Sequence, residues 1–146
     1  MTDDRLLLPD GVRATLHERR AADAPAEVCG VLLGERAAGD GVGVGDDASA
    51  DRVAAAVPVE NVAGDPERRY ELDPAGTVAA LDDGEDRGLA PVGFYHSHPR
   101  GPADPSATDR DRAAWTGYVY CIVAPGELGA YRWIGEAFRP LRVETP

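Results

Sequence analysis

No lysine occurs in this chain: all 15 basic residues are arginine, set against 26 Asp and Glu for a formal net charge of -11. That balance argues against a nucleic-acid partner, because grip on a phosphate backbone needs clustered cations. Aromatics are scarce, at 6%. Acidic residues without lysine keep a surface hydrated when salt has screened ordinary charge repulsion. This predicts a salt-adapted (halophilic) cytoplasmic protein. A GC-rich genome favouring Arg, Ala, Gly and Asp codons accounts for the same bias, and the two explanations are compatible. Long apolar runs are also missing. Nothing approaches the roughly 20 residues that span a bilayer, and Met1-Thr2-Asp3-Asp4-Arg5 lacks the basic and apolar regions of a signal peptide. A soluble, cytoplasmic chain with no membrane partner is expected. The only cysteines, Cys29 and Cys121, lie in apolar runs and read as buried free thiols, at a spacing that matches no zinc motif. A length of 146 residues can bury a core without disulfides. No repeat or linker divides it, so one domain over 1–146 is expected.

Leu6-Leu7-Leu8 runs into a turn at Pro9-Asp10-Gly11, and the pattern from about 11 to 23 predicts an amphipathic helix ended before Pro25. Val28 to Gly34 is apolar throughout and short enough to be a buried strand. The Gly, Asp and Ala-rich stretch 36–50 reads as a long hairpin connection, with Arg52 to Val59 as the return strand. A polar loop over 60–69 precedes a short strand from Tyr70 to Leu72. Asp73-Pro74 then offers a cap and a first-turn proline for a helix over about 74–86. Pro91 to His96 is the next strand, Ser106 to about Trp115 a third helix, and Tyr118–Ala124 and Leu128–Ile134 a strand pair. Phe138 to Val143 adds an edge strand. Strands interspersed with two or three helices predict an α/β or α+β class. Trp115, Tyr118, Tyr120, Tyr131 and Trp133 read as core or sheet-packing residues.

Two of the three histidines stand in His96-Ser97-His98-Pro99, followed after a Pro/Gly-rich turn by Ser106-Ala107-Thr108-Asp109. Histidines one residue apart project to one side of an extended segment. A carboxylate arriving from the following turn completes a three-donor face, and three protein ligands with an open position mark a catalytic zinc site. Ser-x-x-Asp is also a helix capping box, so Asp109 is expected to serve both ends. Asp104 and Asp111 do not fit the spacing and are assigned to the surface. His17 falls on the polar helix face.

The pattern His-x-His-Pro-x6-Ser-x2-Asp resembles the signature of the JAMM (MPN+, Mov34) metalloproteases, and the resemblance extends to Glu27-Val28-Cys29-Gly30, Pro58-Val59-Glu60-Asn61 and Val92-Gly93-Phe94-Tyr95. It covers about residues 10–135. It implies an MPN/JAMM-like mixed β-sheet sandwiched by two to three helices, of cytidine-deaminase-like architecture. It also implies His96, His98 and Asp109 as ligands to Zn2+, Glu27 as general acid/base and Ser106 as an oxyanion donor. Each role makes chemical sense. Zinc-bound water has a pKa of about 7, a nearby carboxylate can carry its proton, and losing one oxyanion donor costs roughly 3 kcal/mol. Cys29, two positions past Glu27, reads as a buried thiol, and Asn61 matches a family position without an evident active-site role.

The resemblance further implies an isopeptidase that removes ubiquitin-like modifier proteins, here small archaeal ones, from target lysines. The modifier's extended, Gly-Gly-ended tail would pair with a sheet edge beside the metal, gripped by 36–50 and 60–69. Three alternatives share parts of the pattern. One is a JAMM peptidase that trims the C-terminus of a sulfur-carrier protein. The second is the RadC-like branch, associated with DNA repair, against which the acidic charge and Glu27-x-Cys-Gly count. The third is a noncatalytic MPN interaction domain, which would have lost metal ligands that this chain retains. The oligomeric state is not legible in the sequence.

Overall fold

A strand that is apolar at every position must be covered on both faces, and the run after Val28 forms such a strand at the centre of the molecule. The computed structural model describes residues 4–37 and 50–146. Its elements are β1 (Arg5–Leu7), α1 (Asp10–Asp23), β2 (Cys29–Glu35), β3 (Asp51–Val59), α2 (Pro74–Asp86), β4 (Ala90–Ser97), α3 (Ala107–Arg112), β5 (Val119–Ala124), β6 (Glu127–Trp133) and β7 (Phe138–Glu144). β2 lies between β3 and β4, antiparallel to both. Around it the strands run β1-β3-β2-β4-β5-β6-β7, and β7 closes the sheet onto β1 in parallel.

The two faces of this curled sheet carry separate cores. Leu16 of α1 packs with Leu6, Leu32, Tyr95, Cys121 and Leu141, from strands all around the barrel. α1 touches β3 and β5, which are not neighbours, so it lies within the curl. On the other face Ala80 of α2 packs with Val31, Leu33, Val59, Phe94 and Tyr120. Asp73 caps α2 by accepting from the Gly76 N–H at 2.9 Å, with Pro74 in the first turn. Close packing of β2 leaves no room beside Gly30, where an added Cβ would sit 2.2 Å from the Val57 carbonyl oxygen and 2.4 Å from the Tyr95 ring.

β4 and β5 are parallel neighbours joined by a crossover, with His96 in register with Ile122. The crossover leaves from the C-terminal end of β4 and contains α3. Chain that departs from a strand's carboxyl end forms a crevice there, and here it is the end that bears the histidines.

The mixed sheet with three helices agrees with the expected class, and three details differ. Phe138–Glu144 is not an edge strand, because Leu6 and its neighbours form a strand that pairs with it. Tyr70–Leu72 makes only an isolated bridge, Asn61 to Leu72, since the Asn61 side chain takes the Glu71 N–H and the Arg69 carbonyl. α3 stops at Arg112 and not near Trp115, because the Tyr120 hydroxyl accepts from the N–H groups of Ala114 and Trp115. The connection expected over 36–50 falls almost wholly outside the described residues. No described helix is long and apolar enough to cross a membrane.

Candidate metal centre

Successive side chains of a strand face opposite sides. Phe94 and His96 therefore look toward the α2 side, while Tyr95 joins the cluster around Leu16. His98 continues on the side of His96, one residue past the strand end. His96 is buried and stacks on Tyr70, with ring centroids 4.2 Å apart and planes inclined by 21°. The Nδ1 of His98 lies 2.8 Å from the Pro102 carbonyl oxygen. A carbonyl can only accept, so the neutral His98 ring carries its proton on Nδ1 and turns the lone pair of Nε2 to the site.

The turn after Pro99 brings the N-terminus of α3 against these rings. Ser106 Oγ accepts from the Asp109 N–H at 3.0 Å, and Asp109 Oδ2 accepts from the Ser106 N–H at 2.9 Å. This is the capping box expected from the spacing. The same Oδ2 lies 3.2 Å from His96 Nε2 and 3.1 Å from His98 Nε2, and the two Nε2 atoms are 3.2 Å apart. The capping geometry thus aims the carboxylate at the imidazole pair.

Three donors at these separations suit a small metal ion. A tetrahedral ion with bonds of about 2.0–2.1 Å separates its donors by about 3.3–3.4 Å, close to the sides of this triangle. A proton could bridge only one pair. In the metal-free protein the mutual attraction appears as shifted titration. Asp109 is held well below the usual carboxylate range, the hydrogen bonds of His96 and His98 outweighing the upward push of burial. Burial dominates at His96 and lowers its pKa. At His98 burial is outweighed by the bonds to Asp109 and the Pro102 carbonyl, and the pKa rises.

Glu27 enters from the segment just before β2. Cys29 is in register with His96, and the Ser97 N–H donates to the Val28 carbonyl at 3.0 Å. The antiparallel pairing therefore carries Glu27 alongside His98. A carboxylate oxygen of Glu27 and one ring nitrogen from each of His96 and His98 all lie within 4.8 Å of one another. Glu27 is only 7% exposed. Burial, then the charges of Asp109 and Asp65, raise its carboxyl to about 7, with His98 acting in the opposite direction. Cys29, on the same face, is buried and directs its thiol to the Val59 carbonyl oxygen.

All five side chains singled out in the sequence meet at the end of β4: Glu27, His96, His98 and Asp109 face one another, and Ser106 stands at the rim, exposed and joined to Asp109. Asp104 and Asp111 are exposed, as expected. Three contributors were not singled out for the site. Tyr70 backs His96. Ser97 is buried, and its hydroxyl accepts from the Val28 N–H at 2.8 Å, fastening the approach of Glu27 to β4. Asn61 binds the Glu27 carbonyl. Asn61 matches a family position without an evident role, Ser97 stands between the two histidines, and nothing in the spacing points to Tyr70.

Residues 9–134 match the family described as prokaryotic homologs of the JAB domain (Prok-JAB). The chain belongs to that family. It is 47% identical over 148 residues to a desampylase of Haloferax volcanii, with 98% of each chain covered. It is 41% identical over 106 residues to a probable TtuB-protein conjugate cleaving protease of Thermus thermophilus, covering 70% of this chain and 62% of that one. Among solved structures, a JAB1/MPN domain protein from Archaeoglobus fulgidus shares the fold, with a TM-score of 0.57 at 18% identity over 94% of this chain and 98% of that one. The chain is a JAB-type hydrolase. The metal dependence of the JAB family accords with the converging donors at the end of β4.

Proposed function

We propose that this JAB-type hydrolase is a zinc-dependent isopeptidase. In this reading residues 1–146 act as one cytoplasmic catalytic domain that frees small ubiquitin-like modifiers from the lysines of their targets. The observation that carries the reading is the triangle of His96, His98 and Asp109, with the raised carboxyl of Glu27 beside it. Two nitrogens and one carboxylate oxygen in a small, three-donor arrangement suit zinc better than calcium or magnesium, which prefer six or more oxygen ligands. When bound there, zinc polarises the scissile carbonyl and makes water acidic enough to lose a proton near pH 7.

The chain's own residues supply the rest. Glu27 takes a proton from the attacking water and passes it to the nitrogen of the departing lysine amine. Its carboxylate, buried beside His96 and His98, stands where it can do both. Ser106 already accepts the Asp109 N–H, so its hydroxyl hydrogen is free to be given to the carbonyl oxygen as charge develops there. Burial of Glu27, His96 and Asp109 lowers the local dielectric and strengthens these interactions.

The segment before α2, beside the metal centre, offers backbone groups with which a modifier tail can pair. Val62 N–H donates to the Glu71 carbonyl and Asp73 N–H to the Glu60 carbonyl. These two bonds straddle Leu72, whose own N–H and C=O therefore point outward. Beside it lies an apolar pocket lined by Tyr70, Leu72, Phe94, Trp115 and Tyr120. An extended Gly-Gly-ended tail pairs with Leu72 and threads toward His96. The names of the Haloferax and Thermus relatives favour conjugate cleavage.

The test is incubation of the purified protein, in high salt, with a ubiquitin-like modifier joined to a target lysine through an isopeptide bond. Release of intact modifier is expected, abolished by chelator and restored by zinc. Glu27→Gln is expected to lose roughly 10²–10⁴-fold in kcat while still holding zinc. Full activity in that variant overturns the mechanism.

A further inference from the structure

We infer that Asn61 is a positioning residue that sets where Glu27 stands relative to the imidazole pair. This rests on the reading of Glu27 as the proton carrier. Glu27 precedes β2 (Cys29–Glu35) and so lies outside that strand. Both of its peptide groups are held by the loop between β3 and α2. Its N–H donates to the Pro66 carbonyl at 2.7 Å, and its C=O accepts from Asn61 Nδ2 at 3.0 Å.

The Asn61 side chain spends its whole hydrogen-bonding capacity on this junction. Nδ2 also donates to the Arg69 carbonyl at 3.2 Å. Oδ1 accepts from the N–H groups of Ala63 and Glu71, each at 3.0 Å. An amide has two N–H donors and two lone pairs, and each has a backbone partner here. Arg69 and Glu71 flank Tyr70, whose ring lies on His96. One planar group therefore spans from the backbone of Glu27 to the segment that backs His96.

The chemistry at this position calls for asparagine. Aspartate would keep both acceptors but lose both donors, and would set a carboxylate oxygen against the Glu27 carbonyl. Glutamine adds a methylene that the 3.0 Å contacts leave no room for. Alanine leaves the Glu27 carbonyl without its donor. Asn61 holds the Glu27 carbonyl directly, whereas it reaches His96 only through the backbone on either side of Tyr70, so its larger effect is expected at Glu27. Displacing a proton-carrying group by about 1 Å can cost on the order of 10²-fold in rate.

The experiment uses the zinc-loaded protein and the isopeptide conjugate described above. It compares wild type with Asn61→Asp, Asn61→Ala, Glu27→Gln and the double variant Glu27→Gln/Asn61→Asp. Asn61→Asp is expected to lose about 10- to 100-fold in kcat, with KM within about twofold and a full zinc complement. In the Glu27→Gln background the Asn61→Asp change is expected to cost nothing further, which a general weakening of the loop would not produce. Wild-type kcat in Asn61→Asp, a loss that falls on KM or on zinc content, or an added loss in the double variant each overturns the inference. Should Asn61→Ala fail to fold, the near-isosteric Asn61→Asp decides. A fully active Glu27→Gln defeats the proton-carrier reading itself, whereas an inactive Glu27→Gln beside a normal Asn61→Asp defeats only the role of Asn61.

Discussion

Tyr70 lies flat on His96, with 4.2 Å between ring centroids and 21° between planes, so the loop before α2 reaches the histidine that β4 delivers. The stack holds a buried imidazole whose Nδ1 has no hydrogen-bond partner among the described residues. The ring face of Tyr70 thus helps to orient His96, beside the contacts that its Nε2 makes with Asp109 and His98.

Removing that support should loosen the ligand. Tyr70→Ala is expected to weaken zinc affinity by roughly 10- to 100-fold, the usual effect of losing a group that orients a ligand. Tyr70→Phe, which keeps the ring, should stay close to wild type. Competition with a chromogenic chelator measures both.

Glu27 couples stability to pH in the metal-free protein. Its carboxyl is raised from 4.5 to about 7 in the folded state, mainly by burial. A raised carboxyl favours folding only while protonated. The contribution is full below the unfolded pKa and is lost as pH rises from 4.5 through about 7. Glu27→Gln mimics the protonated form. It should match wild type near pH 4 and exceed it by about 1–3 kcal/mol at pH 8. Denaturant melts of both proteins in chelator, across this range, give the difference. A constant difference at every pH contradicts the raised carboxyl.

Ser106 has two jobs that one substitution separates by magnitude. Ser106→Ala should remove the cap of α3 at a cost of about 1 kcal/mol in stability. Loss of the donated hydroxyl should lower kcat by roughly 10²–10³-fold. Melting curves and steady-state kinetics read the two effects independently, with zinc content checked alongside.

The two thiols should be inert in the folded protein. Burial pushes Cys29 up to about 12, with the charge of Glu27 adding to it, and burial likewise pushes Cys121 up to about 12. The thiolate is the reactive form. Iodoacetamide at pH 8 is expected to leave both unmodified until denaturant is added, after which mass spectrometry should show two adducts. Labelling of Cys29 in the native protein would mean that its face of β2 opens.

Much of the site was legible because its spacing is local. His-x-His alternates on one strand, Ser106-x-x-Asp109 is a single helical turn, and both rules act over a few residues. The strong strands β2, β4 and β5 were legible for a similar reason, since apolar runs must be buried. The misjudged pieces depended on partners far away in the chain. Ala114 and Trp115 leave the helix because Tyr120 takes their N–H groups. Tyr70–Leu72 is no strand because Asn61 uses its amide on that segment. Phe138–Glu144 stops being an edge because β1 arrives from the other terminus.

The sequence by itself determined the donor types, their local order and the family to which they belong, because covalent spacing on a strand or helical turn sets which side chains can converge. Tertiary structure decided how far they converge and what protonation they favour. The pairing of β2 with β4 brings Glu27 beside His98, and a crossover turn returns Asp109 to within 3.2 Å of both imidazoles. Burial then lifts Glu27 to about 7. Desolvation and strand register are properties of the assembled chain, and no local pattern encodes them.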